Sequence, residues 1–143
     1  MKNILFTAIM VICFVGIGKS QVRLGAGVTY LNEVGVQARA VIGLENFDIV
    51  PKFSYYIVDD ATSLSFEVDA AYKLVTIADE HPVYLFAGPA LYRASSNGIS
   101  DSDFAFTIGA GVEVAKIYIE IKYAKLFCDN CDGQIGFAVG YMF

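Results

Sequence analysis

From Val22 to Phe143 the chain alternates between two faces, residue by residue, and nearly every charge falls on the same one. The last ten residues show this most plainly. Ile135, Phe137, Val139, Tyr141 and Phe143 take one parity; Gln134, Gly136, Ala138, Gly140 and Met142 take the other. A two-residue period belongs to a β-strand, whose successive side chains point to opposite faces of a sheet. The chain is therefore predicted to be all-β, and what it does depends on which face points outward.

Residues 1–20 are set apart from the fold. Lys2 gives a short positive start, residues 4–17 form an apolar run, and Gly18-Lys19-Ser20 precedes a cleavage point ahead of Gln21. This layout is that of a secretory signal peptide. The run falls short of the about 20 apolar residues a spanning helix requires. Residues 21–143 form one domain. Without Lys2 and Lys19, eight basic residues face fifteen acidic ones, a net charge near −7. Nucleic acid is excluded as a partner, because binding it needs a basic surface.

Turn-forming residues divide the domain into eight strand-like segments: 22–30, 34–43, 48–58, 62–75, 83–93, 104–114, 117–126 and 134–143. Regular short strands with turn signals between them point to a barrel or sandwich. Ala115-Lys116 is short enough for a two-residue hairpin turn. The segment 83–93 fits least well. It places Tyr84, Phe86 and Tyr92 on the polar face and contains Pro89, so a bulge is expected there.

One face carries residues such as Leu24, Val36, Phe53, Phe66, Phe106 and Ile121, with charges only near strand ends, at Asp59, Arg93 and Lys125. The other carries Arg23, Gln37, Arg39, Lys52, Glu67, Asp69, Lys73, Glu113, Glu120 and Lys122. Two arrangements satisfy this split. A soluble exported barrel of the lipocalin kind would turn the apolar face inward around an apolar ligand, whereas a transmembrane barrel would turn it toward lipid.

The small residues favour the second. Gly25, Gly27, Gly35, Gly109, Gly111, Gly136 and Gly140 share the polar face. Glycine weakens an exposed strand, but an eight-stranded barrel has an interior only just wide enough for side chains to fill. Long charged groups fit there only beside small neighbours. Segment length agrees. At about 3.3 Å per residue and about 40° of tilt, nine residues rise about 23 Å, close to the roughly 25 Å apolar band of such barrels. The expected fold is an eight-stranded antiparallel up-and-down transmembrane β-barrel.

The signal peptide, the eight alternating segments and the ending Ile135-x-Phe137-x-Val139-x-Tyr141-x-Phe143 resemble the small outer-membrane β-barrel proteins of Gram-negative bacteria, among them the barrel domain of the outer-membrane protein A and X type. The resemblance covers residues 21–143 and is one of pattern. It implies residence in the bacterial outer membrane as a monomer, in contact with outer-membrane lipid and lipopolysaccharide. It also implies that Tyr141 and Phe143 act as the assembly signal read by the barrel-assembly machinery. Unlike the archetype, no periplasmic domain is expected after the barrel.

An even strand number places both ends of the chain on the periplasmic side. Outer connections are then expected near Asn32-Glu33, Asp59-Asp60-Ala61, 94–103 and 127–133, with 94–103 the longest. Inner turns are expected near Glu45-Asn46, 76–82 and Ala115-Lys116.

Arg39, Lys52, Glu67, Asp69, Glu120 and Lys122 fall near mid-height, three cations and three anions, and are expected to pair into a network that plugs the lumen. The same charges could line a narrow ion path, but barrels of this size are usually filled. Cys128 and Cys131 in an exported loop are expected to form a structural disulfide or to stand as free thiols, the bond being the simpler outcome after export; a thioredoxin-like pair would need a βαβ setting, and a zinc site two further ligands. Lipid-modifying outer-membrane enzymes with this architecture use a histidine beside a serine. His81 instead sits beside Pro82 in an expected turn, so no catalytic residue is assigned. The outer acids Glu33, Asp59, Asp60, Asp101, Asp103, Asp129 and Asp132 could attract divalent cations, but the expectation is solvated loops with no metal or cofactor. The role expected is structural or surface interaction, without catalysis.

Overall fold

The computed structural model describes residues 21–78, 81–127 and 131–143; the segment expected to be a signal peptide lies outside these, as do Asp79, Glu80, Cys128, Asp129 and Asn130. The strands are β1 (Val22–Leu31), β2 (Glu33–Gly43), β3 (Asp48–Val58), β4 (Ala61–Ile77), β5 (His81–Ser96), β6 (Ile99–Val114), β7 (Ile117–Leu126) and β8 (Gln134–Met142). Each pairs antiparallel with the next, and β8 returns to β1 to close the barrel. The closing seam aligns Val28 with Val139 and Tyr30 with Phe137. Closure leaves no open sheet edge around the waist, which a bilayer requires, since nothing there can satisfy unpaired backbone groups.

The split between faces runs the transmembrane way. Phe66 is 51% exposed on the outside, while its neighbours in sequence, Ser65 and Glu67, are buried within. Phe106, Ile121, Phe137 and Val139 lie on the same apolar exterior. The reverse arrangement, an apolar core with charges on the circumference, is not adopted.

Five strands run past the expected bounds, β1 and β2 by one residue each and β4, β5 and β6 by more. Residues 94–103, expected as the longest outer loop, continue β5 and β6 as a ladder that pairs Ala94 with Asp101 and Ser96 with Ile99. The turn is only Asn97-Gly98, both at positive φ (49° and 81°), the backbone of a tight hairpin for which Asn-Gly is the favoured pair. Cross-strand pairing overrides the weak strand preference of the Ser-Asp-Ser-Asp run at 100–103. At the other end, the expected inner turn 76–82 shrinks likewise, because Thr76 pairs with Pro82 and Ile77 with His81. Ala115 and Lys116 form the short turn between β6 and β7, with Val114 facing Ile117.

The irregularity expected in 83–93 lies elsewhere. β5 is continuous through Pro89, and the register shift falls on β4 between Lys73 and Val75. Pro89 instead interrupts the ladder to β4, which pairs Glu67 with Ala90 and resumes at Ala70 with Ala87. Pro51 interrupts the β2–β3 ladder in the same way, between Arg39–Lys52 and Ile42–Ile49. Each proline lacks the N–H that the ladder would use.

Candidate functional site

The lumen is filled along its height. Toward the end that holds the termini, Val41, Val50, Ala71, Tyr84, Phe86, Tyr118, Ala138 and Met142 form one buried cluster. Leu31, Tyr56 and Ala124 form a second toward the other end. Glycine makes room for the rings. A methyl group at Gly109 would come within 2.4 Å of the Phe86 ring, and one at Gly111 within 2.6 Å of the Tyr84 ring. The aromatic residues of β5 thus lie over the bare backbone of β6, and neither strand could change alone.

Between the clusters lie Arg39, Lys52, Glu67, Asp69, Glu120 and Lys122, none more than 6% exposed. The barrel brings them together as two groups. In the larger, Glu120 of β7 accepts from Arg39 of β2 at 2.7 Å and from Lys52 of β3 at 2.9 Å, one on each carboxylate oxygen. Lys52 Nζ also lies 2.9 Å from Asp69 Oδ2. The Tyr84 hydroxyl donates to Glu120 at 2.9 Å. The Thr107 hydroxyl donates to Asp69 at 2.9 Å and lies 3.1 Å from the Gly88 carbonyl. In the smaller group, Lys122 pairs with Glu67, which also accepts from the Tyr92 hydroxyl at 3.3 Å.

The cations also sit on rings. Arg39 lies 4.3 Å from the centre of Tyr118 and Lys52 3.9 Å from that of Phe86. These contacts are strong where water is excluded. Charges of both signs therefore cancel within a few ångströms, and the hydrogen bonds take up much of the remaining cost of burial. The chemical consequence is a closed plug. At the inner mouth, Arg23 pairs with Glu113 at 2.5 Å and Lys73 with Asp48 at 3.3 Å, beside a cavity of about 20 Å³. That is space for about one water molecule.

Several apolar lumen residues escaped the sequence reading, among them Val41, Val50, Tyr56 and Tyr118, all buried. Their parity already placed them inside; their apolar character drew attention away from it. Asp48 was also missed, because it stands next to an expected turn.

The remaining candidates are placed as follows. Tyr141 and Phe143 lie outside at the inner rim, rings in edge-to-face contact with centres 5.7 Å apart, and the Phe143 N–H donates to the Leu24 carbonyl at 2.8 Å. Cys131 is disulfide-bonded, while Cys128 lies outside the described residues. His81 begins β5 opposite Ile77 and forms no hydrogen bond with a serine among the described residues. At the outer mouth, Glu33, Asp101 and Asp103 line a cavity of about 300 Å³ floored by Tyr56 and Tyr92. No group of three or more His, Cys, Asp or Glu among the described residues is placed to hold a metal ion.

No protein-family model matches the sequence, and no curated protein matches it. Solved structures do. The N-terminal β-barrel domain of Pseudomonas aeruginosa OprF superposes with a TM-score of 0.64 at 16% identity, covering 87% of this chain and all of that domain. The fold is that of the eight-stranded outer-membrane β-barrels. Neisserial surface protein A is similar with a TM-score of 0.53 at 16% identity, over 85% of this chain and 96% of its own. The outer membrane enzyme PagL has a TM-score of 0.50 at 16% identity, over 86% of this chain and 99% of its own. One fold therefore serves a surface protein and an enzyme, so function rests on the side chains.

Proposed function

We propose that this chain is an integral protein of the bacterial outer membrane, a plugged barrel with a structural or surface-interaction role and no catalysis. The observation that carries this reading is the pairing of a continuous apolar exterior with six buried, mutually neutralised charges. An aqueous surface would leave that exterior as a very large exposed apolar patch, and lipid is the solvent that suits it. The plug supports a role at the membrane surface in place of transport. PagL shares the fold and is an enzyme, but His81 at the inner end of β5 makes no hydrogen bond with a serine among the described residues, which supports the non-catalytic reading. In this reading Tyr141 and Phe143 form the assembly signal, and the partners are outer-membrane lipid, lipopolysaccharide and, during biogenesis, the barrel-assembly machinery.

Fractionation tests the location. The protein is expected with detergent-extracted outer membranes, migrating faster on unheated gels than after boiling. Recovery in the soluble fraction would overturn the proposal. Lipid A extracted from cells with and without the protein is expected to be identical; a change in its acylation would favour the enzyme reading instead.

A further inference from the structure

Charge divides unequally between the two faces of the wall. Every Asp and Glu on a strand takes the inward parity, as do Arg23, Arg39, Lys52, Lys73 and Lys122. The lipid-facing parity of the strands carries two charges, and both are cations: Arg93 of β5 and Lys125 of β7. Both are exposed, and both lie toward the outer end of the barrel. Arg93 borders the outer mouth yet forms no ion pair among the described residues, and Lys125 donates to the Cys131 carbonyl at 2.8 Å.

Strand stagger brings the two cations to one level. Leu91 faces Phe104, and the Phe127 N–H donates to the Phe104 carbonyl at 2.8 Å, so these three residues form one row. Arg93 stands two residues outward of this row on β5, and Lys125 two residues inward of it on β7. Rows in this barrel climb as they pass from strand to strand. The row of partners that starts at Val22, at the inner end of β1, reaches Ile135, near the outer end of β8. At about 40° of tilt, the four-residue offset spans about 10 Å of height, of which two strand steps recover about 6 Å. Arg93 and Lys125 therefore stand within about 4 Å of one level, about 16 Å apart along the wall. Between them lie the exposed rings of Phe104 and Phe127.

We propose that Arg93 and Lys125 bind two phosphate groups of a single lipopolysaccharide molecule, whose acyl chains lie along Phe104 and Phe106. A charge on the lipid face of a barrel is costly at mid-membrane and nearly free at the interface. There long Arg and Lys side chains reach the headgroup level and attract anionic lipid. The Arg93 guanidinium can take two phosphate oxygens at once, and the Lys125 ammonium binds phosphate as a point charge. A headgroup with one phosphate reaches one of the two cations; one with two matches both. No such pair exists on the wall at the inner end, where Arg23 and Lys73 face inward and meet Glu113 and Asp48.

The inference deepens the contact with lipopolysaccharide proposed above and rests on the membrane reading. The test adds diphosphoryl lipid A to the barrel refolded in zwitterionic detergent and counts the lipids retained per barrel by native mass spectrometry. One retained molecule is expected. Retention is expected to fall about tenfold or more in Arg93→Gln/Lys125→Gln, because each cation near a membrane surface adds affinity for anionic lipid. Lys116→Gln, in the turn at the inner end, is expected to retain lipid A as the native protein does. With the native protein, lipid A stripped of both phosphates is expected to be held as weakly as by the double variant, and the monophosphoryl form to fall between. Inorganic phosphate alone is expected not to bind. A folded barrel that retains no lipid A overturns the site, as does retention unchanged in the double variant or indifferent to the phosphates. Monophosphoryl lipid A held as tightly as the diphosphoryl form overturns the two-phosphate bridge, and inorganic phosphate bound equally well overturns the lipid as its source. Protein recovered from the soluble fraction of cells overturns the membrane reading itself.

Discussion

Glu120 holds two cations at once, and its removal is the sharpest single-residue test of the plug. Arg39 and Lys52 occupy its two oxygens, with Tyr84 as a third donor. Truncation to alanine leaves Lys52 with Asp69 alone and Arg39 with no ion-pair partner among the described residues, and breaking a buried pair in this way costs about 3–5 kcal/mol. Glu120→Ala is therefore expected to lower the urea midpoint of unfolding in detergent, with an unchanged slope; an unchanged midpoint would contradict the network. Glu67→Ala is expected to cost less than Glu120→Ala, because it strands only Lys122. Gly109→Val belongs at this scale too. Its side chain meets both the Ile121 carbonyl and the Phe86 ring, so folding yield is expected to fall; pairing it with Phe86→Ala is expected to restore part of it, since the ring is one of the two obstacles.

At the scale of elements, the β5–β6 hairpin is the informative one. It reaches beyond the end of β7, which pairs no further along β6 than Ala105 with Leu126. Its Asn97-Gly98 turn needs positive φ at both residues, so Gly98→Val is expected to lower hairpin order without dismantling the barrel. Amide exchange should speed up at residues 94–103 and stay slow at residues 105–112. Uniform loss of protection across β6 would show that the hairpin is part of the barrel's cooperative unit. This element also marks where sequence reading stopped short. Ser100 to Asp103 look like a loop by composition, because serine and aspartate are poor strand residues. The Asn-Gly pair beside them was the stronger signal, and a tight hairpin turn was there to be read. The irregularity assigned to Pro89 appeared in β4 instead, because a missing N–H opens a ladder without changing the strand's own course.

For the whole molecule, the decisive property is the direction of the apolar face. Phe106→Lys places a charge on the lipid side, and such a change near mid-membrane costs about 2–4 kcal/mol. Refolding into vesicles is expected to be impaired, whereas the same substitution in a soluble barrel with an apolar core would abolish folding in any solvent. The plug predicts closure. Neither the native protein nor Glu67→Ala is expected to admit sugars in a liposome-swelling assay, since the apolar clusters at both levels of the lumen remain. Swelling with either would reject the closed-lumen view. Deleting Phe143 is expected to reduce the amount assembled in cells while leaving refolding in detergent unaffected, as a signal for assembly would require; equal loss in both settings would make it a packing residue.

Alternation alone determined the class of fold and set the charges on the face opposite Phe66 and Phe106, because a strand's side chains must take turns between faces. The glycines on the charged side determined that this face was crowded and therefore enclosed. What alternation cannot supply is azimuth and height. Arg39 and Glu120 stand 81 residues apart, on strands that never pair, and meet only because closure and stagger turn β2 and β7 toward each other across the axis. The division of six charges into two groups and the ring-over-glycine contacts between β5 and β6 have the same origin. A period of two assigns each residue a side, and only the closed, tilted barrel assigns it an opposite number.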